Sequence, residues 1–267
     1  TVGILPLILL GIQSVMLIDG FYGFENLTSH FWIGKSNLDI AGGEPGVIHN
    51  KIILGATWNT LKLAFLSAVI AAVIGIVIAY IAVRRSNNPL AILLDQIAFV
   101  PFLFPTIAFG AMYLTLFAVP VGPIPALYGT FTLLVLISVV SRLPYSVKTG
   151  ITAVTQIGQE LEEAAEVAGA SWWQRFRRII MPLASSGIMS GMMVSFVGVM
   201  RELSLIILLI TPATRVLMTA GFGYAEEGFT QLTNALVLIV ALLTIIGELI
   251  LWKIGKGRMA RLREKQS

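Results

Sequence analysis

Residues 57–83 run TWNTLKLAFLSAVIAAVIGIVIAYIAV, and between Lys62 and Arg84 they carry no charge. A helix needs roughly 20 mostly apolar residues to cross a hydrocarbon core of ~30 Å. Lipid offers no partner to backbone N–H and C=O groups, so such a stretch must satisfy them as a helix or within a closed barrel. This one is too long and too continuous for a barrel strand, which reads as about ten residues of alternating polarity. Outward from it, five further apolar stretches follow the same pattern: 1–18, 91–119, 126–140, 183–210 and 233–254. The first and fourth are short for a span. Hydrophobic residues are 57% of the 267 and charged residues 12%, about half the usage of a soluble domain, and mean hydropathy is +0.88. A soluble chain of this length would still need a polar shell. The expectation is an all-α membrane protein, one domain over 1–267 built as a bundle of about six transmembrane helices. The sequence has no cysteine, which excludes disulfides and thiolate metal sites.

The 18 lysines and arginines against 14 acids leave a charge of +4, and their placement says more than their sum. If the charged stretch 141–181 is cytoplasmic, that side holds the basic residues at 84, 85, 142, 148, 175, 177 and 178 and those from 253 to 265. Only Lys35, Lys51, Lys62, Arg201 and Arg215 fall elsewhere. Such a bias sets both termini in the cytoplasm. The charge is then a topology signal rather than a nucleic-acid footprint. The basic tail 253–267 can touch anionic membrane lipid at about 1 kcal/mol per basic residue. Starting at Thr1 rather than Met suggests a segment of a longer polypeptide, or a trimmed one.

The stretch 141–182 reads as a loop carrying two short amphipathic helices. In the first, Ile157, Leu161, Ala164, Ala165 and Ala168 recur at helical spacing, with Gln159, Glu162, Glu163 and Glu166 on the other face. Gly169 can take a left-handed helix stop. Ser171-Trp172-Trp173-Gln174 is a capping box that restarts a helix. That second helix carries Trp172, Phe176 and Ile179 on one side, and Pro182 closes it before the fifth span. On composition alone this is a helix pair lying in the headgroup layer.

Spacing adds a sharper reading. Glu163-Ala164-Ala165, three residues, Gly169, nine residues, then Ile179-Ile180-Met181-Pro182 resembles the EAA signature of ABC importer permeases, E-A-A-x3-G-x9-I-x-L-P. Met181 for leucine is the one departure, a volume-conserving exchange. The resemblance implies the type I importer permease fold, with Glu163, Ala164, Ala165, Gly169, Ile179 and Pro182 in a coupling loop that docks on a separate ATPase subunit. It also implies no cofactor in this chain, since ATP and Mg are bound by that partner. The further partners implied are a second permease unit (an identical chain or a fused half) and a periplasmic or lipid-anchored solute-binding protein, at the bacterial cytoplasmic membrane. Arg201-Glu202-Leu203-Ser204 and Tyr224-Ala225-Glu226-Glu227-Gly228 resemble iron(III)-type permeases, often single chains of two homologous halves. Trp58-Asn59-Thr60 and the non-Met start would suit the C-terminal half of one. Permeases for thiamine, phosphonate or polyamine share the same plan.

Gly187, Gly191 and Ser195 fall four apart, a stripe that lets helices pack closely, within the chain or against a second unit. Counted from Pro182 at 1.5 Å per residue, Arg201 lies about 28 Å along the fifth span, near the outer leaflet. There Arg201, Glu202, Glu226 and Glu227 are candidates for the pathway or a gate. Arg201 is expected to meet the 226–227 loop, and Glu202 a group of the second unit. Glu248 is expected to pair with Lys253 or to reach the cytoplasmic interface. His30 and His49 follow no metal-ligand spacing. No G-x-x-x-x-G-K-[ST], G-x-S-x-G or H-E-x-x-H motif occurs in the sequence, and the chain reads as a transport subunit rather than an enzyme. Two rival classes remain. A secondary transporter or channel working alone would show broken, charged helices at the midplane or inverted repeats. An intramembrane enzyme would need a convergent set of ionisable residues.

Overall fold

The structure, a computed structural model, describes residues 4–120, 122–123 and 125–264, with side chains as far as Lys253. The tail side chains expected to touch lipid lie outside the described residues. Apart from a single helical turn, His30–Ile33, and short 3-10 turns, the helices in chain order are α1 (Ile4–Gln13), α2 (Lys51–Arg84), α3 (Pro89–Phe99), α4 (Thr106–Phe117), α5 (Phe131–Thr155), α6 (Glu160–Val167), α7 (Trp172–Leu183), α8 (Ser185–Met200), α9 (Leu217–Glu226) and α10 (Thr230–Glu264). Among the described residues the only β pairing is an isolated bridge, Met16–Leu27. Three helices, α2, α5 and α10, are long and apolar enough to cross a membrane. Among the described residues the number is up to five, against the six expected, if each of two bent pairs is one span: α3 with α4, bent by 107°, and α7 with α8, bent by 69°.

The elements differ from expectation mainly at their ends. α1 has ten residues, short of the span expected over 1–18; residues 1–3 are outside the described ones. α5 starts at Phe131 and continues to Thr155 with Pro144 inside it, so residues 141–155 are helix rather than loop. Two of their polar groups find partners on a neighbouring helix, which favours them at membrane depth: Ser146 Oγ lies 3.2 Å from Ser195 Oγ, and Arg142 donates to the Gly198 carbonyl at 3.1 Å. α8 stops at Met200 rather than Ile210, and residues 201–216 form successive turns. The Glu202 carboxylate accepts the Leu205 N–H at 3.2 Å there, satisfying the backbone where the helix breaks. Residues 224–226 end α9 and are not loop.

Small residues bring the central helices together. A Cβ added to Gly75 of α2 would lie 2.6 Å from Ser146 Cβ, and one on Gly150 of α5 would lie 2.8 Å from Ala79 Cβ. α8 runs antiparallel along α5. A Cβ on Gly187 would lie 2.3 Å from Ala153 Cβ, and one on Gly191 would lie 2.4 Å from Thr149 Oγ1. The stripe of Gly187, Gly191 and Ser195 therefore packs within the chain. Without water to expel, helices in lipid associate by close packing of this kind. The buried core above the seam adds Leu63, Leu133, Ile137, Met200, Leu205 and Leu209.

Three of the helices in the bundle have side-chain caps at their starts. The Asn50 side chain accepts from Ile52 and Ile53 N–H at α2, Asn88 from Leu90 N–H at α3, and Thr130 from Leu133 N–H at α5. At the end of the bundle away from α6, the Lys62 ammonium lies 4.9 Å from the Phe131 ring centre.

Candidate functional site

The segment carrying the signature is built from the end of α5. α6 closes in a left-handed turn: Gly169 has φ +82°, its N–H bonds the Glu166 carbonyl at 2.9 Å, and the Ala170 N–H bonds the Ala165 carbonyl at 2.9 Å. These two bonds make a Schellman stop, which needs glycine at the left-handed position. The capping box then forms as the spacing predicts. Ser171 N–H donates to Gln174 Oε1 at 2.7 Å, and Gln174 N–H to Ser171 Oγ at 3.4 Å. α7 widens into a π turn over Phe176–Ile180, just before Pro182, whose ring cannot take the place of an N–H donor. The chain bends by 69° into α8.

The two faces of α6 are not those expected. Glu162 is buried, 7% exposed. It accepts the Tyr80 hydroxyl at 2.6 Å and the Arg84 Nε–H at 2.6 Å, while Arg84 also donates to the Ile157 carbonyl at 2.8 Å. Of the residues expected on the apolar face, Leu161, Ala164 and Ala168 are exposed while Ile157 is buried, and Val167 is 91% exposed. Glu163 points to solvent and accepts from the Gln159 amide at 2.9 Å; Ala165 is half-buried. Arg175 pairs with Glu166, joining α7 to α6. Ile179 and Pro182 are half-buried, and Ile180 is fully buried. Tyr80, Trp172 and Phe176 pack their rings beneath, with centres 5.4 Å apart for both Tyr80–Phe176 and Trp172–Phe176. The sequence holds Arg84 and Glu162, but only the fold puts opposite charges from α2 and α6 together.

A second polar cluster lies midway along α5. Arg142 pairs with Glu202, and Arg142 stands about 17 Å from Phe131 and about 20 Å from Thr155 along the helix. The expected depth and partners are corrected accordingly. Arg201 adjoins Glu202, whose partner Arg142 lies midway along α5, so Arg201 sits near the middle of the bundle rather than at the outer leaflet. Glu202 meets Arg142 of its own chain rather than a second unit, and Arg142 is on a span rather than in the loop. Arg201 and Glu248 line one cleft of about 290 Å³ with Arg142 and Tyr145. Glu248 lines this cleft, whereas the expectation is a pair with Lys253 or a reach to the cytoplasmic interface. Glu226 and Glu227 lie elsewhere, in a cavity of about 280 Å³ with Arg215, Glu44 and Tyr224. There Tyr224 donates to Glu44 at 3.0 Å and receives the Asn50 amide at 2.8 Å. Burial pushes the Tyr224 phenol up to about 12, with Asn50 opposing and Glu44 reinforcing the shift.

Known proteins resemble this chain along most of its length. It is 30% identical over 173 residues to the sulfate transport system permease protein CysT of Escherichia coli (strain K12), 60% of each chain. It is 27% identical over 212 residues to the ferric transport system permease protein FbpB of Actinobacillus pleuropneumoniae, covering 78% of this chain and 30% of that one. The chain thus spans about three fifths of the sulfate relative and about a third of the ferric one. Among solved structures, one chain of a bacterial ABC transporter involved in alginate import shares the fold with TM-score 0.71 at 16% identity, over 93% of this chain and 88% of that one. A chain of the MetNI methionine ABC transporter does so with TM-score 0.65 at 18% identity, over 78% and 96%. With residues 71–254 matching the family directly, the chain belongs to the binding-protein-dependent transport system inner membrane components.

Proposed function

We propose that this chain is the membrane-spanning permease unit of an importer driven by a separate ATPase and fed by a solute-binding protein. The observation that carries the reading is the exposed surface of α6: apolar and small side chains of Leu161, Ala164, Val167 and Ala168, held out by a Schellman stop and a capping box. An exposed apolar patch on a rigidly capped helix marks a docking surface. In this reading that end of the bundle is cytoplasmic, the ATPase docks on α6 and Gly169, and ATP and Mg are held by the ATPase. A second permease unit, identical or fused, completes the path. Arg201, exposed at mid-bundle beside Glu248, faces that path, because a charge facing hydrocarbon there is unfavourable by a few kcal/mol. Glu202, bound to Arg142, serves the structure instead.

The solute is small and delivered by the binding protein. Iron(III) is the finer reading, supported by residues 201–204 and 224–228 and by likeness to FbpB; likeness to CysT supports sulfate as its rival. The test is ATP-dependent uptake of radiolabelled iron(III) and of sulfate into proteoliposomes holding the permease, its ATPase and its binding protein. Uptake of iron(III) alone supports the finer reading, uptake of sulfate alone replaces it, and uptake of neither by a complex that hydrolyses ATP rejects both.

A further inference from the structure

A force applied to α6 can follow the chain in two ways: back into α5, or forward through α7, its π turn and the 69° bend into α8. The structure contains a third route that does not follow the chain. Glu162 is the residue of α6 turned inward, and both of its carboxylate oxygens are taken by α2, one by Tyr80 and one by Arg84. Arg84 also holds the Ile157 carbonyl just past α5, so one guanidinium ties the ends of two long helices to α6. From there α2 meets α5 at the Gly75–Ser146 and Gly150–Ala79 contacts, where a Cβ would already collide, so α2 cannot slide independently. The link is narrow. A cavity of about 410 Å³ opens beside it, lined by Tyr80, Arg84, Arg85, Trp172 and Arg175, and packing there does little to hold α6 in place.

A buried ion pair gains little stability over apolar residues of the same size. What it supplies is one geometry, held or lost as a unit, which suits an element that must transmit displacement rather than absorb it. Resting on the permease reading above, we infer that Glu162 and Arg84 are positioning residues that make α2 move together with the docked α6. The α7–α8 lever is then one of two force paths into the bundle.

The test uses the absence of cysteine in the sequence. Spin labels on cysteines introduced at the exposed positions Asn87 and Val167 report the distance from the end of α2 to α6 in the full chain. The parent should give one narrow distance distribution. The double variant Arg84→Met/Glu162→Met removes both charges together and leaves no charge unpaired, although the Tyr80 hydroxyl and the Ile157 carbonyl each lose a partner, so its melting temperature should stay within a few degrees of the parent's while the distribution broadens. In proteoliposomes with the cognate ATPase, the same variant should retain the ATPase while solute uptake per ATP hydrolysed falls at least tenfold. A purely structural contact would lower yield and leave that ratio alone. The inference is overturned if the distribution stays narrow, or if it broadens with uptake per ATP unchanged. Failure of the parent chain to bind any ATPase sinks the permease reading instead, and the distance measurement then decides the tether by itself.

Discussion

Gly169 holds a backbone conformation that other residues adopt only with strain, at φ +82° with open space where a Cβ would go. The cost of replacing it is therefore conformational, about 1–3 kcal/mol locally, and not steric. Gly169→Val should insert into the membrane but bind the ATPase weakly and lose transport, whereas Gly169→Asn, which tolerates the left-handed region, should keep much of both. Co-purified ATPase and uptake, measured side by side, check this. Glu202 makes a different demand. Its loss leaves Arg142 buried without its partner, a change that costs a few kcal/mol when one member of a buried pair is removed. Glu202→Gln should lower the yield of folded chain while transport per assembled complex stays normal. Arg142→Met/Glu202→Met should recover much of the yield. A fall in transport per complex with yield intact would return Glu202 to the pathway.

Among the elements, the α5–α8 contact is the one most sensitive to added volume. Gly191→Val would push into Thr149 Oγ1 at 2.4 Å and Ser146 Cα at 3.3 Å, and overpacking typically costs 1–3 kcal/mol. Thermal unfolding in detergent, followed by tryptophan fluorescence, should shift down by several degrees. Gly55→Ala in α2, with nothing within 4 Å, should be neutral or slightly stabilising. The same contact explains which elements could be read in advance. The run 57–83 announced α2 because nothing polar interrupts it. The end of α5 is not legible because Arg142, Pro144, Ser146 and Lys148 look like a loop until α8 supplies Ser195 as partner to Ser146 and the Gly198 carbonyl as partner to Arg142. The end of α8 was overrun for the opposite reason, since residues 205–210 are apolar yet turn. The Gly169 stop and the Ser171 capping box were legible because each is a local bond pattern with a fixed spacing. The inward turn of Glu162 was not legible, because its partners lie on a helix about eighty residues away in sequence.

For the molecule as a whole, the arrangement is a bundle whose tight centre is α2, α5 and α8 and whose most exposed amphipathic helix is α6. Glycines at 75, 150, 187 and 191 let the three central helices act as one packed body, while α6 hangs from it by Glu162 and by α7. On the permease reading, α6 is where the ATPase grips that body. The most direct test puts a photo-crosslinking amino acid at Val167, 91% exposed on α6, and at Trp58, 63% exposed near the opposite end. Cells are irradiated during transport and the adducts are identified by mass spectrometry. The account predicts a nucleotide-binding ATPase subunit attached at Val167 and none at Trp58. Adducts of that ATPase at Trp58, or an α6 that captures lipid and no ATPase, would contradict it.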